Sequence, residues 1–129
     1  MKRQIVKWIR FVVLCLCSGL LLHPLFLGAG KSGQKPRQGT ASYYADKFNG
    51  RKTASGEMFT NNGMTAAHNT LPLGSYVKVT NLRNGRSVIV RITDRLHRKN
   101  TRIIDLTKSA ARKLGFLTRG LTRVKVETV

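Results

Sequence analysis

Glu57 and His68 are a lone acid and a lone histidine within Arg51 to Pro72, RKTASGEMFTNNGMTAAHNTLP, a stretch otherwise rich in small and turn-forming residues. Such a stretch cannot bury much apolar surface, so Ser55-Gly56 and Asn61-Asn62-Gly63 read as turns that hold short pieces of chain over a scaffold built elsewhere. A carboxyl and an imidazole displayed in this way are suited to moving protons. A second acid, Asp94, closes an alternating apolar run and opens into the basic loop Leu96 to Arg102. Strand ends of this kind are where a scaffold presents reactive groups, yet Asp94 equally reads as an ion-pair partner of Arg91, Arg95 or Arg102 on a solvated rim. Asp105 reads as a structural acid near the start of the helix that follows, where carboxylates interact well with exposed backbone N–H groups. Neither metal nor thiolate chemistry is expected. No two of His23, His68 and His97 have ligand-motif spacing, and Cys15 and Cys17 both fall in an N-terminal apolar run.

These groups need a scaffold, and the patterning makes it mainly β. Thr40 to Ala45 reads as a first strand, with Tyr43 and Tyr44 on opposite faces of the pleat, one to pack inward and the other to face a groove. Leu71 to Gly74 forms a turn. Tyr76 to Asn81 alternates, Asn84-Gly85 signals a hairpin of type I′ with positive φ at both residues, and Ser87 to Asp94 is its partner strand. Thr107 to Leu114 is the one credible soluble helix, capped by Thr107, ended by Gly115 and burying Ala110, Ala111 and Leu114. Thr122 to Val129 is the last strand. Five or six short strands and one short helix in some ninety residues imply a small closed β-barrel.

Residues 1–30 lie outside that scaffold. Lys2, Arg3, Lys7 and Arg10 precede the apolar run Phe11 to Leu22, and Gly28-Ala29-Gly30 offers small residues for cleavage, so the segment reads as an export signal. An uncleaved membrane anchor and lipidation at Cys17 are the alternative readings. Residues 31–38, KSGQKPRQ, form a polar linker, and the domain spans 39–129. The whole chain has a formal net charge of +19 and the domain about +12. That excess points to an anionic neighbour, a cell-envelope polymer or a lipid surface, or else serves solubility. Nucleic acid is disfavoured by export and by the lack of an arginine-rich helix, an RNA-binding sheet signature or a zinc finger.

The runs TASYYA, RKTASGE at 51 to 57, TAAHNTLPLG at 65 to 74, VKVTNLRNGRSVIVRITDR at 77 to 95 and RIIDLTKSAARKLG at 102 to 115 together resemble the rare lipoprotein A family of bacterial lytic transglycosylases over residues 39 to 128. The resemblance implies a small six-stranded double-psi β-barrel in the periplasm or cell envelope, a monomer without cofactor. It also implies cleavage of peptidoglycan strands, already stripped of stem peptides, between N-acetylmuramic acid and N-acetylglucosamine to leave 1,6-anhydro ends. Glu57 and Asp94 fall on the family's two implicated acids and His68 on a histidine expected to orient or polarise one of them. Tyr44, Thr53 and Asp105 are the implied substrate-binding residues. Paired carboxylates suit this chemistry: a glycosidic oxygen needs a proton and a developing oxocarbenium needs negative charge. The chain departs from the family where Asp-Arg-Gly-Pro becomes Asp94-Arg95-Leu96-His97, and where a glycine after the tyrosine pair becomes Ala45. A non-catalytic, expansin-like wall-binding or wall-loosening module is the alternative.

Overall fold

A computed structural model describes residues 34–129; the export, anchor and lipidation readings lie outside the described residues. Six strands, β1 (Arg37–Tyr43), β2 (Thr65–Ala67), β3 (Tyr76–Asn81), β4 (Ser87–Asp94), β5 (Ile104–Leu106) and β6 (Thr122–Thr128), close into a barrel in the order β1-β5-β2-β4-β3-β6. The β1–β5 and β2–β4 pairs are parallel and the other four are antiparallel. Closure leaves no open sheet edge. Arg37 and Gln38, read from the sequence as linker, already belong to β1, opposite Val126 and Lys125 of β6.

Alternation fills the interior. Val77 and Val79 of β3, Val90 and Ile92 of β4, Ile104 and Leu106 of β5, and Val124 and Val126 of β6 all point into one core. Each such side chain contributes about 1.5–3 kcal/mol of burial. One end of the core is sealed by helix α1 (Lys108–Leu114) through Ala110, Ala111 and Leu114, with Phe116 behind them. Thr107 caps α1 by accepting from Ala110 N and donates its own hydroxyl to Gly63 O at 2.6 Å. Gly115, at φ 78°, ends the helix in the left-handed conformation that only glycine adopts cheaply. The core residues run from Ala41 to Val126, within the barrel and its helix.

The β3–β4 hairpin is present, but its turn is not of type I′. Gly85 has φ 76° and no non-glycine described here has positive φ, so Asn84 is not left-handed. The physical reason is a longer loop built on side chains. Asn81 N donates to Arg86 O and Asn81 Oδ1 accepts from Arg83 N, while Asn84 reaches Leu114 O at 2.9 Å. Asn81 also donates to Leu114 O and accepts from Thr122 Oγ1, so one buried amide joins β3, the end of α1 and β6.

Candidate functional site

The stretch from Arg51 to Phe59 forms a miniature hairpin. Lys52 and Met58 pair across it, Thr53 N donates to Glu57 O at 2.8 Å, and Gly56, at φ 86°, makes the tight turn possible. Thr53 is buried, with its hydroxyl bonded to Glu57 O and to Ser55 Oγ, so it holds the turn together. The tip is fastened to the end of β4: Ser55 N donates to Thr93 O and Ala54 N donates to Asp94 Oδ1, each at 3.0 Å.

Asp94 is placed by an irregularity in the β2–β4 ladder. Ala66 pairs with Ile92 but Ala67 pairs with Asp94, so β4 carries one extra residue at this point. A bulge interrupts the alternation that would otherwise put Asp94 on the same face as Val90 and Ile92, and so re-aims its side chain. The carboxylate accepts from Ala54 N and Arg95 N on Oδ1, and from the Tyr44 hydroxyl on Oδ2 at 2.7 Å. Two oxygens offer about four acceptor positions, so Oδ2 still has room for another donor.

Asp94 is also distinguished by the partner it lacks. The other four acids are each in an ion pair: Asp46 with Lys108, Glu57 with Arg91, Asp105 with Arg102 and Glu127 with Lys125. Among the described residues no cation pairs with Asp94. The arginines expected to do so are engaged elsewhere, since Arg95 donates to the carbonyls of His68 and Leu71 at 2.8 and 2.7 Å. The rim ion pair is therefore not formed.

Tyr44 follows β1 and sits between Phe59, with centroids 4.4 Å apart, and the edge of Phe48 at 5.7 Å. Burial, and then the neighbouring Asp94 carboxylate, push its phenol well above the usual value, so the hydroxyl remains a donor. Tyr43, on the opposite face, packs against the core and Phe116 and bonds Leu117 O.

Glu57 receives both terminal nitrogens of Arg91, with Nη2 to Oε2 at 2.6 Å. These charge-assisted bonds hold its carboxyl below the ordinary glutamate range although it is open to solvent. Asp105 does not serve the helix start, where Thr107 and the Asn61 side chain receive the amides of Ala110 and Lys108. It binds Ser42 Oγ at 2.5 Å and Arg102 Nε at 2.9 Å instead. In register, Ser42, Asp105, Ala67 and Asp94 form one row across β1, β5, β2 and β4. The two aspartates thus stand two strand spacings apart, roughly 10 Å.

His68 is buried and does not hydrogen-bond to either carboxylate. Its Nδ1 accepts from the amides of Thr70 and Leu71, which places the ring proton on Nε2. Burial, then Arg37 and Arg95, lower its pKa and keep it neutral. Its tie to Asp94 runs through the backbone, His68 N to Asp94 O at 3.0 Å. It shapes the turn against which the loop after Asp94 is clamped by Arg95 and by the bond from Leu96 N to Asn69 Oδ1. Buried Leu96 anchors the loop that lacks Gly-Pro, and Ala45, at φ −68°, needs no glycine.

Sequence reasoning missed Asn61. This buried amide donates to Tyr44 O and Asp46 Oδ1 and accepts from Lys108 N, joining the end of β1 to α1. Its place in the Asn-Asn-Gly turn gave no sign of that. The pairing of Arg91 with Glu57 was missed as well.

Residues 37–126 match the family model described as lytic transglycolase. The chain is 58% identical over 93 residues to the endolytic peptidoglycan transglycosylase RlpA of Pasteurella multocida, covering 72% of this chain and 32% of that protein. It is 58% identical over 91 residues to that of Pseudomonas aeruginosa (70% and 27%), and 54% over 91 residues to that of Neisseria meningitidis (70% and 38%). The chain spans about a third of the length of these curated relatives. Among solved structures, the Streptomyces papain inhibitor superposes with a TM-score of 0.61 at 25% identity, covering 76% of this chain and 97% of the inhibitor. The apo expansin of Clavibacter michiganensis gives 0.59 at 23%, covering 74% and 50%.

Proposed function

The chain belongs to the lytic transglycolase family of double-psi β-barrels, and from that premise we propose that it is an exported endolytic enzyme of peptidoglycan. The proposed substrate is a glycan strand stripped of stem peptides, cut between N-acetylmuramic acid and N-acetylglucosamine by a monomer without cofactor. In the reaction the bond from C1 of the muramic residue to the glycosidic oxygen breaks while that oxygen gains a proton. O6 of the same muramic residue then bonds to C1 and gives up its hydrogen, leaving a 1,6-anhydro ring with no water consumed. One carboxyl must carry the proton and another must stay negative beside the oxocarbenium.

The ion pair at Glu57 and its absence at Asp94 among the described residues support the following division of these tasks. Glu57, held ionised by Arg91, supplies fixed negative charge. Asp94, protonated at the open Oδ2 position when the strand binds, donates that proton to the leaving oxygen and afterwards accepts the O6 proton in its place, with Tyr44 and the Ala54 amide fixing its orientation. Asp105, in the same row, is the candidate to bind the strand further along. The observation that carries this reading is that Asp94, alone of the five acids, has no ionic partner among the described residues and keeps an acceptor position open. The test is mass spectrometry of denuded glycan strands after incubation with the protein. Anhydro ends should form with the wild type and fall by a factor of about 10²–10⁴ with Asp94→Asn. The bidentate grip of Arg91 on Glu57 favours a second reading, a module that binds glycan without cutting it; intact strands retained by the wild type would establish that instead.

A further inference from the structure

On another part of the barrel, sharing no residue with the acids, lies an open cleft of about 560 Å³. Its walls come from three places: Leu82 and Arg83 at the tip of the β3–β4 hairpin, Arg119 and Leu121 in the turn before β6, and Arg123 on β6 opposite Thr40 of β1. All three arginine side chains are exposed, and the described residues give them no hydrogen bond or ion pair. The two leucines are 43% and 50% exposed. Leu82 N donates to Arg123 O, so the hairpin tip and β6 are fixed to each other and the cleft is part of the barrel wall.

We propose that this cleft docks the phosphate headgroup of an anionic phospholipid at a membrane surface. The guanidinium groups lining the cleft present planar pairs of donors that match phosphate oxygens. A wholly water-soluble phosphate polymer would give exposed leucines nothing to cover, whereas a bilayer interface accepts leucine among the upper acyl carbons and arginine among the phosphates. The volume is that of a small-ligand site. The proposal is independent of the glycan chemistry, because the cleft and the carboxylates have no residue in common.

Co-sedimentation of residues 34 to 129 with phosphatidylcholine vesicles, with and without 30% phosphatidylglycerol, tests it, with the melting temperature of each variant as a control for folding. The wild type should sediment with the anionic vesicles and not with the neutral ones. Replacing Arg83, Arg119 and Arg123 together by Gln should weaken binding at least tenfold, and Leu82→Ser with Leu121→Ser about threefold, without a large change in melting temperature. Replacing Lys47, Arg98 and Lys113 by Gln removes the same charge elsewhere and should have a much smaller effect. An equal loss from that control would overturn the proposal in favour of diffuse attraction. Unchanged binding by the leucine variant would overturn the seating of the leucines in the bilayer, and no binding by the wild type would end the proposal.

Discussion

At the scale of single residues, the site is a division of labour among hydrogen-bond donors. Tyr44→Phe keeps the packing on Phe59 and removes one bond to Asp94 Oδ2. A hydrogen bond contributes about 0.5–1.5 kcal/mol net, so losing this orienting contact should lower kcat roughly twofold to tenfold with little change in KM, measured by release of anhydro products. Arg91→Gln addresses Glu57. Arg91 holds the Glu57 carboxyl below its ordinary value, so activity that requires charged Glu57 is present at neutral pH and lost only as pH falls through that lowered value. Removing the guanidinium should move the acid limb of the pH–rate profile up toward about 4.3; an unmoved limb would separate Glu57 from the rate. Glu57 and Asp94 were legible as acids in a telling context, but their partners were not. Glu57 meets Arg91 across 34 positions and Asp94 meets Tyr44 across 50. Local neighbours offered Asp94 three arginines, and the fold engages each of them elsewhere.

At the scale of elements, strands with room to alternate announced themselves and the shortest ones did not. β3, β4 and β6 have six to eight residues each, enough for a two-residue period to show. β2 and β5 have three each, and β2 lies in a stretch that composition marks as turns. The helix was readable with both caps because capping is chemistry between near neighbours. Asn81 was not readable as a buried joint, since its partners Leu114 and Thr122 are remote. Asn81→Leu would leave Leu114 O with the Asn84 amide alone and the Thr122 hydroxyl without its acceptor. Buried groups left unsatisfied cost about 1–3 kcal/mol each. Urea denaturation should therefore show a loss of roughly 2–4 kcal/mol, and a loss under about 0.5 kcal/mol would mean that water replaces the amide.

For the molecule as a whole, the expected small barrel is the one observed, and its double-psi identity came from joined motifs, not from periodicity. A polypeptide of residues 34 to 129 should fold by itself, with a β-type circular dichroism spectrum and one cooperative melt, because closure and core are complete within it. The papain inhibitor, 97% covered by the same barrel, has little beyond it. Both cysteines precede this unit, so its melting temperature should be unchanged by reductant.

The order of closure also governs when the fold can come into being. β6 is the last strand in the chain, yet it fills the gap between β1, the first, and β3. Until Thr122–Thr128 has emerged from the ribosome, β1 and β3 each have an unpaired edge and Val124 and Val126 are missing from the core. Contacts between the two ends of a chain form late and slowly, because the loop entropy is lost before they can compensate it. A chain of this design is therefore not yet a barrel for as long as its last strand is withheld, however much of the rest has been made.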